Sequence, residues 1–140
     1  MSKIGFGGGC HWCTEAVFQT LRGVACVTQG FIQSTPPHDT FSEAVIVDYS
    51  PDTIPLDILI AIHLRTHAST SPHKMRGKYR SAVYTFSDAQ TAEVKSLIKA
   101  EHPNFEAPLV TLTLTHIAFK ASDTRFQNYY ATDAERPFCT

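Results

Sequence analysis

No apolar run in this 140-residue sequence approaches the roughly 20 residues needed to span a bilayer, so no membrane partner is expected. Charge of one sign is not in excess either. The formal net charge is -1, and Lys and Arg are scattered rather than gathered into a basic tail, which argues against nucleic acid as a partner. Met1-Ser2-Lys3-Ile4 enters a strand-like segment at once and leaves no room for a signal peptide, so a cytoplasmic location is expected. Repeats, low-complexity tracts and linkers are missing, and a single domain over residues 1–140 is expected, with enough chain for one two-layer core. The scarce residues are therefore the informative ones: one tryptophan and four cysteines, Cys10, Cys13, Cys26 and Cys139. A cytosolic chain keeps its thiols reduced, so a close Cys pair in it points to catalysis or to metal.

Local patterning predicts a short strand over Ile4-Gly5-Phe6, a glycine loop, and a helix from about Cys13 to Leu21 stopped by Arg22-Gly23. Val24 to Ile32 alternates as a strand, Gln33 to Thr40 with Pro36-Pro37 reads as a loop, and Glu43 to Tyr49 is a second alternating strand. Pro55 opens a helix carried by Leu56, Leu59, Ile60 and His63 to about Arg65, and His67 to Tyr79 is a long loop of the kind that carries function. A strand over Arg80 to Phe86 leads to a helix from Asp88 to about Glu101, capped by Ser87 with Gln90 at the reciprocal capping-box position. A strand over Leu109 to Thr115 and a short helix around Thr124 to Tyr130 complete the pattern. The order implies an α+β fold, a two-layer sandwich with a mixed β-sheet covered by helices.

Chemistry concentrates in Gly7-Gly8-Gly9-Cys10-His11-Trp12-Cys13-Thr14-Glu15. A glycine loop after a strand lets the backbone turn sharply and sets Cys10 at or near a helix N-terminus. Unpaired N–H groups and the helix dipole there favour an anion, so a thiolate is stabilised. Trp12 supplies an apolar wall, and Cys13 lies three residues on, within reach of a disulfide if the first turn allows it. The Cys-x-x-Cys pair has three readings: redox or nucleophilic catalysis, half of a zinc site, or coincidence. Zinc needs two more ligands, and no second Cys-x-x-Cys or Cys-x-x-His pair follows, so no metal is expected.

Gly8-Gly9-Cys10-His11-Trp12-Cys13-Thr14-Glu15 resembles the Gly-Cys-Phe-Trp-(Gly/Cys)-x-Glu signature of the peptide methionine sulfoxide reductase A family. Gly23-Val24, Gly30-Phe31, Glu43-Ala44-Val45, His67, Tyr79-Arg80-Ser81-Ala82 and Gln127-Asn128-Tyr129-Tyr130 follow in the family's order, from about residue 3 to the end. The resemblance implies the ferredoxin-like plait of that family and a peptide-methionine (S)-S-oxide reductase without a cofactor. Cys10 would attack the sulfoxide sulfur. Glu43 would protonate the sulfoxide oxygen and has to be largely buried to hold its proton. Tyr79 would hold that oxygen through its hydroxyl, and Trp12 would pack against the substrate methyl group. A second thiol would resolve the Cys10 sulfenic acid, and a thioredoxin-like dithiol would reduce the disulfide. Cys13 is the expected resolving thiol, and Cys139 competes for the role. The substrate would be oxidised methionine in proteins, in peptides or free, and a monomer is expected. The sequence departs from the family at His11, where the signature has Phe, and at Phe41, where it has His. A family tyrosine between Gly30 and Glu43 and an aspartate ahead of Tyr79 are missing; His11, His38 and Asp39 are the replacements at hand. Those departures define an alternative from another class, a degenerate module that docks methionine or its sulfoxide without turnover.

Other residues carry plainer readings. Cys26 lies inside an apolar strand and reads as an inert core thiol. His63 and His67 are four apart, but Leu64 stands where a zincin has glutamate, so structural or surface roles are expected. Phe126 to Tyr130 reads as an aromatic cluster that closes a core.

Overall fold

The computed structural model describes residues 2–8, 11–65, 80–105 and 109–121, with the backbone alone for residues 11–13. Six strands form one mixed sheet: β1 (Ser2–Gly7), β2 (Val24–Gln33), β3 (Ser42–Tyr49), β4 (Ala82–Thr85), β5 (Leu112–Thr115) and β6 (Ala118–Ala121). Their spatial order is β5-β4-β1-β3-β2-β6. β4 and β5 run parallel, and every other neighbouring pair is antiparallel. The helices are α1 (His11–Gln19), α2 (Leu56–Arg65) and α3 (Asp88–Glu101), with a short 3-10 turn at His102–Asn104. The α+β sandwich expected from the sequence is present, and none of these helices is long and apolar enough to cross a membrane.

The three helices sit on one face of the sheet, because they share one hydrophobic core. Ile4, Phe6, Val27, Val45, Val47 and Val83 from the strands meet Phe18 of α1, Leu59, Ile60 and Leu64 of α2, and Val94 and Ile98 of α3. Phe6 and Phe18 stack at 4.7 Å with their planes 4° apart, which seats α1 on β1. On α2 the buried residues Leu56, Leu59, Ile60, His63 and Leu64 repeat at helical spacing, as the sequence pattern requires. The opposite face carries a smaller cluster of Ile32, Ala44, Ala82 and Tyr84.

Ser87 caps α3 as expected, its hydroxyl accepting from the Gln90 N–H at 3.1 Å. The reciprocal bond differs: Gln90 Oε1 accepts from the Phe86 N–H at 2.8 Å, one residue before the cap, while its amide donates to the Lys3 carbonyl. That second bond ties α3 to β1, and tertiary pairing sets the side chain's reach. The strand expected over Leu109 to Thr115 is confined to β5, whose parallel partner β4 offers four residues in register. β6 has no counterpart in the sequence reading. It is an edge strand held by pairing with Gly30 to Gln33 of β2 rather than by a pattern of its own. The short helix expected around Thr124 to Tyr130 and the loop from His67 to Tyr79 lie outside the described residues.

Candidate active site

β1 is an inner strand, and Glu43 and Arg80 stand next to its C-terminal end. Gly7, its last residue, pairs with Ala44 of β3 on one side and Ala82 of β4 on the other. Both neighbours are antiparallel to β1, so each begins where β1 ends. Glu43 therefore stands one residue from the Ala44 pair, Arg80 two residues from the Ala82 pair, and Cys10 three residues past Gly7. Approach at this point is too close for a side chain: a Cβ on Gly7 would lie 2.8 Å from the Arg80 carbonyl oxygen and 3.3 Å from that of Glu43. Gly8 then turns the chain at φ 138°, a conformation that L residues with side chains rarely adopt. α1 begins at His11, so Cys10 immediately precedes a nine-residue helix whose N-terminal N–H groups and dipole favour a thiolate.

Glu43 is buried, with 7% of its surface exposed. Its neighbour Ser42 accepts from the Arg80 N–H at 2.8 Å, linking the start of β3 to the residue after Tyr79. The Arg80 guanidinium, itself buried, donates to the Ile32 carbonyl, to both the carbonyl and the hydroxyl of Thr40, and to the Tyr84 hydroxyl, at 3.2–3.3 Å. One side chain thus holds the end of β2, the segment entering Glu43 and the middle of β4. Burial raises the Tyr84 phenol above its ordinary range, opposed by the charge and hydrogen bond of Arg80. From the helical layer, His63 Nε2 donates to the Gly7 carbonyl at 2.8 Å, its ring tilted against Phe6 at 4.8 Å. The carbonyl can only accept, so the proton is on Nε2. Glu15 is wholly buried and accepts from Gln29 Nε2 at 3.0 Å, which fastens α1 to β2.

The structure accordingly brings Gly7, Glu43 and Arg80 together at one strand end. Cys10, Tyr79 and Cys139 themselves lie outside the described residues, as does His67. His11, Trp12 and Cys13 occupy the first turn of α1 by their backbone. Of the replacements proposed for the missing oxygen-binding groups, Asp39 is exposed and its backbone carbonyl accepts from Gln33, while His38 closes a turn with Ser34 and Thr35 through its backbone. Arg80 and His63 are the buried hydrogen-bonding residues at this strand end that sequence reasoning passed over. Arg80 stood inside a recognised motif, and His63 occupied an apolar helix face, which signalled burial without its partner. Cys26 requires a correction. It is 8% exposed, but its sulfur is in a disulfide, so it is not an inert core thiol. Among the described residues no group of three or more His, Cys, Asp or Glu side chains could hold a metal ion.

Residues 2–140 match the family model described as peptide methionine sulfoxide reductase. The chain is 33% identical over 153 aligned positions to a peptide methionine sulfoxide reductase MsrA of Ralstonia nicotianae, with 95% of this chain and 80% of that protein covered. Its backbone resembles that of Mxr1 from Saccharomyces cerevisiae in reduced form, with a TM-score of 0.79 at 21% identity, covering 99% of this chain and 88% of the other. Mxr1 solved in complex with Trx2 matches at a TM-score of 0.72 and 22% identity, over 91% of this chain and 84% of that one.

Proposed function

The chain belongs to the peptide methionine sulfoxide reductase family, and from that premise we propose that it reduces methionine S-sulfoxide, in proteins, peptides or free, through a Cys10 sulfenic acid. The Cys10 thiolate attacks the sulfoxide sulfur while Glu43 protonates the departing oxygen and the Tyr79 hydroxyl holds it. Trp12 and His11 line the substrate's methyl side. Methionine leaves, and the oxygen stays on Cys10 as sulfenic acid. Cys13 then condenses with that sulfenic acid, releasing water and leaving a disulfide, with Cys139 as the competing resolving thiol. A thioredoxin-type dithiol returns both sulfurs to thiols; the complex of the Mxr1 neighbour with Trx2 supports this choice of reductant. All electrons come from thiols, so the reaction as written uses no cofactor, and the chain acts as a monomer. Within the same reading, the inner strands β4-β1-β3-β2 with α1 and α2 are a ferredoxin-like plait flanked by β5 and β6.

The observation that carries the proposal is the meeting of a glycine loop, a buried glutamate and a buried arginine at the end of β1. A glutamate at a strand start is ordinarily solvated, whereas Glu43 is buried with its backbone against Gly7. Both epimers of methionine sulfoxide should be offered to reduced protein in single turnover. The S epimer is expected to release methionine in the parent chain, in Cys13→Ser and in Cys139→Ser, but not in Cys10→Ser. One equivalent of methionine from Cys10→Ser would refute the mechanism, and binding without turnover would identify a docking module instead.

A further inference from the structure

Glu43 heads a row of side chains that crosses three strands on the helix-side face of the sheet. Val45 and Val47 of β3 belong to the helix-side core, so alternation places Glu43 on that face. Its cross-strand partner on β2 is Phe31, and the partner of Phe31 on β6 is Lys120. The facing of each strand supports the same row. Val27 of β2 joins the helix-side core and Gln29 bonds Glu15 of α1, which puts Phe31 on that side. Phe119 of β6 packs with the cluster on the opposite face, which turns Lys120 toward the side of the helices. From Glu43 to Lys120 is two strand spacings, roughly 10 Å between Cα positions.

The row is covered at the Glu43 end and open at the Lys120 end. α1 starts four residues after β1 ends and runs back along β2, with Glu15 at the level of Gln29. One helical turn earlier, about 5.4 Å, its first residues come level with Phe31, which is two residues or about 6.6 Å farther along the strand. Glu43 is buried, Phe31 half-buried and Lys120 exposed. Among the described residues no carboxylate forms an ion pair with Lys120. Gln33, the next side chain on this face of β2, donates to the Asp39 carbonyl at 2.8 Å and bounds the patch beyond Phe31. Phe41, two residues before Glu43 along the chain, is 43% exposed.

We infer that Phe31, Phe41 and Lys120 select the residues flanking the oxidised methionine of a peptide substrate: an apolar residue next to it and an acidic residue two or three positions away. The inference rests on the reductase reading, which sets the sulfoxide oxygen at Glu43. An extended peptide advances about 3.3 Å per residue, so from a methionine at Glu43 its second or third residue reaches Lys120. Charge and surface then set the preference. Phe31 and Phe41 offer ring surface to an apolar neighbour. Lys120 is an exposed cation at the end of that surface, where it attracts a carboxylate and repels a second cation. Free methionine sulfoxide has no flanking residues and reads neither contact.

The test compares peptides of one length with a single methionine S-sulfoxide and dithiothreitol as reductant. They differ only in leucine or serine beside the methionine and in aspartate or lysine three positions away on both sides. At about 0.05 M salt the aspartate peptides are expected to exceed the lysine peptides about threefold or more in kcat/KM, and the ratio should close toward one at about 0.5 M. Lys120→Glu should reverse the ratio. Phe41→Ser should remove most of a severalfold preference for leucine over serine. Each ratio is taken within one protein, so a general loss of activity in a variant does not imitate the result. Equal reduction of all the peptides would overturn the inference and leave the reductase standing, and an aspartate preference that survives high salt or Lys120→Glu would also overturn it. Reduction of none of them would remove the reductase reading and this one with it. The salt series uses the unaltered sequence, so its result does not depend on how the variants fold.

Discussion

Replacing Arg80 by lysine keeps the positive charge and removes the fork, which separates geometry from electrostatics at the site. The guanidinium donates to Tyr84 Oη, Thr40 Oγ1, Thr40 O and Ile32 O at 3.2–3.3 Å. A lysine ammonium is a single nitrogen on a flexible stem and reaches one or two of these oxygens. Each lost bond from a charged donor counts for roughly 1.5–3 kcal/mol taken singly, but bonds made by one side chain are not additive. Thr40 is exposed, so water replaces part of what is lost there, whereas the bonds to Ile32 and Tyr84 are buried. The Arg80 N–H to Ser42 bond belongs to the backbone and survives. The expected cost is therefore about 2–4 kcal/mol, or a fall in Tm of about 8–15 °C for a chain of this length. Urea unfolding measures the first and calorimetry the second. The start of β3 should loosen with it, and single-turnover methionine release should slow by about tenfold because Glu43 is no longer held in place. Stability of Arg80→Lys within about 0.5 kcal/mol of the parent would mean that the fork does not hold these three segments, and the account of the site would fail with it.

Glu43→Gln keeps a hydrogen-bond donor but has no proton to give, so single-turnover methionine release should slow by roughly 10²–10⁴-fold; a parental rate would exclude Glu43 as the acid. His63→Leu fills the same space without the bond to Gly7, and urea unfolding should show a loss of about 1–3 kcal/mol for the orphaned carbonyl. The same variant should lower the iodoacetamide reactivity of Cys10 at neutral pH, and unchanged reactivity would separate His63 from the glycine loop. Burial, and secondarily the charge of Lys3, holds His116 below its ordinary 6.5. On acidification the unfolded chain takes up that proton first, so a stabilisation fully present above pH 6.5 is lost as pH falls through 6.5 toward the folded value. His116→Gln should flatten that slope in urea midpoints, and an unchanged slope would assign the acid sensitivity elsewhere.

What was legible in the sequence is what depends on neighbours along the chain. The glycine turn at Gly7 and Gly8, the helical spacing of Leu56, Leu59, Ile60 and His63, and the Ser87 cap are local, and the structure carries them with small shifts of boundary. Arg80 is different. Arginine is ordinarily exposed, and its acceptors come from β2, the segment before β3 and β4, which no spacing rule connects. Cys26 shows the same limit in another form, since alternation along β2 gives its face but not its bonding partner. β6 was missed because Ala118-Phe119-Lys120-Ala121 has no pattern of its own and exists through pairing. Register governs the site itself. A one-residue slip of β3 against β1 would turn Glu43 to the other face of the sheet and move its carbonyl away from Gly7. The register is fixed by Ile4 and Phe6 lying opposite Val47 and Val45, residues that share the helix-side core. Packing of the apolar residues of β1 and β3 thus places Glu43 beside Gly7, and a change in that core shifts this strand end without touching either residue.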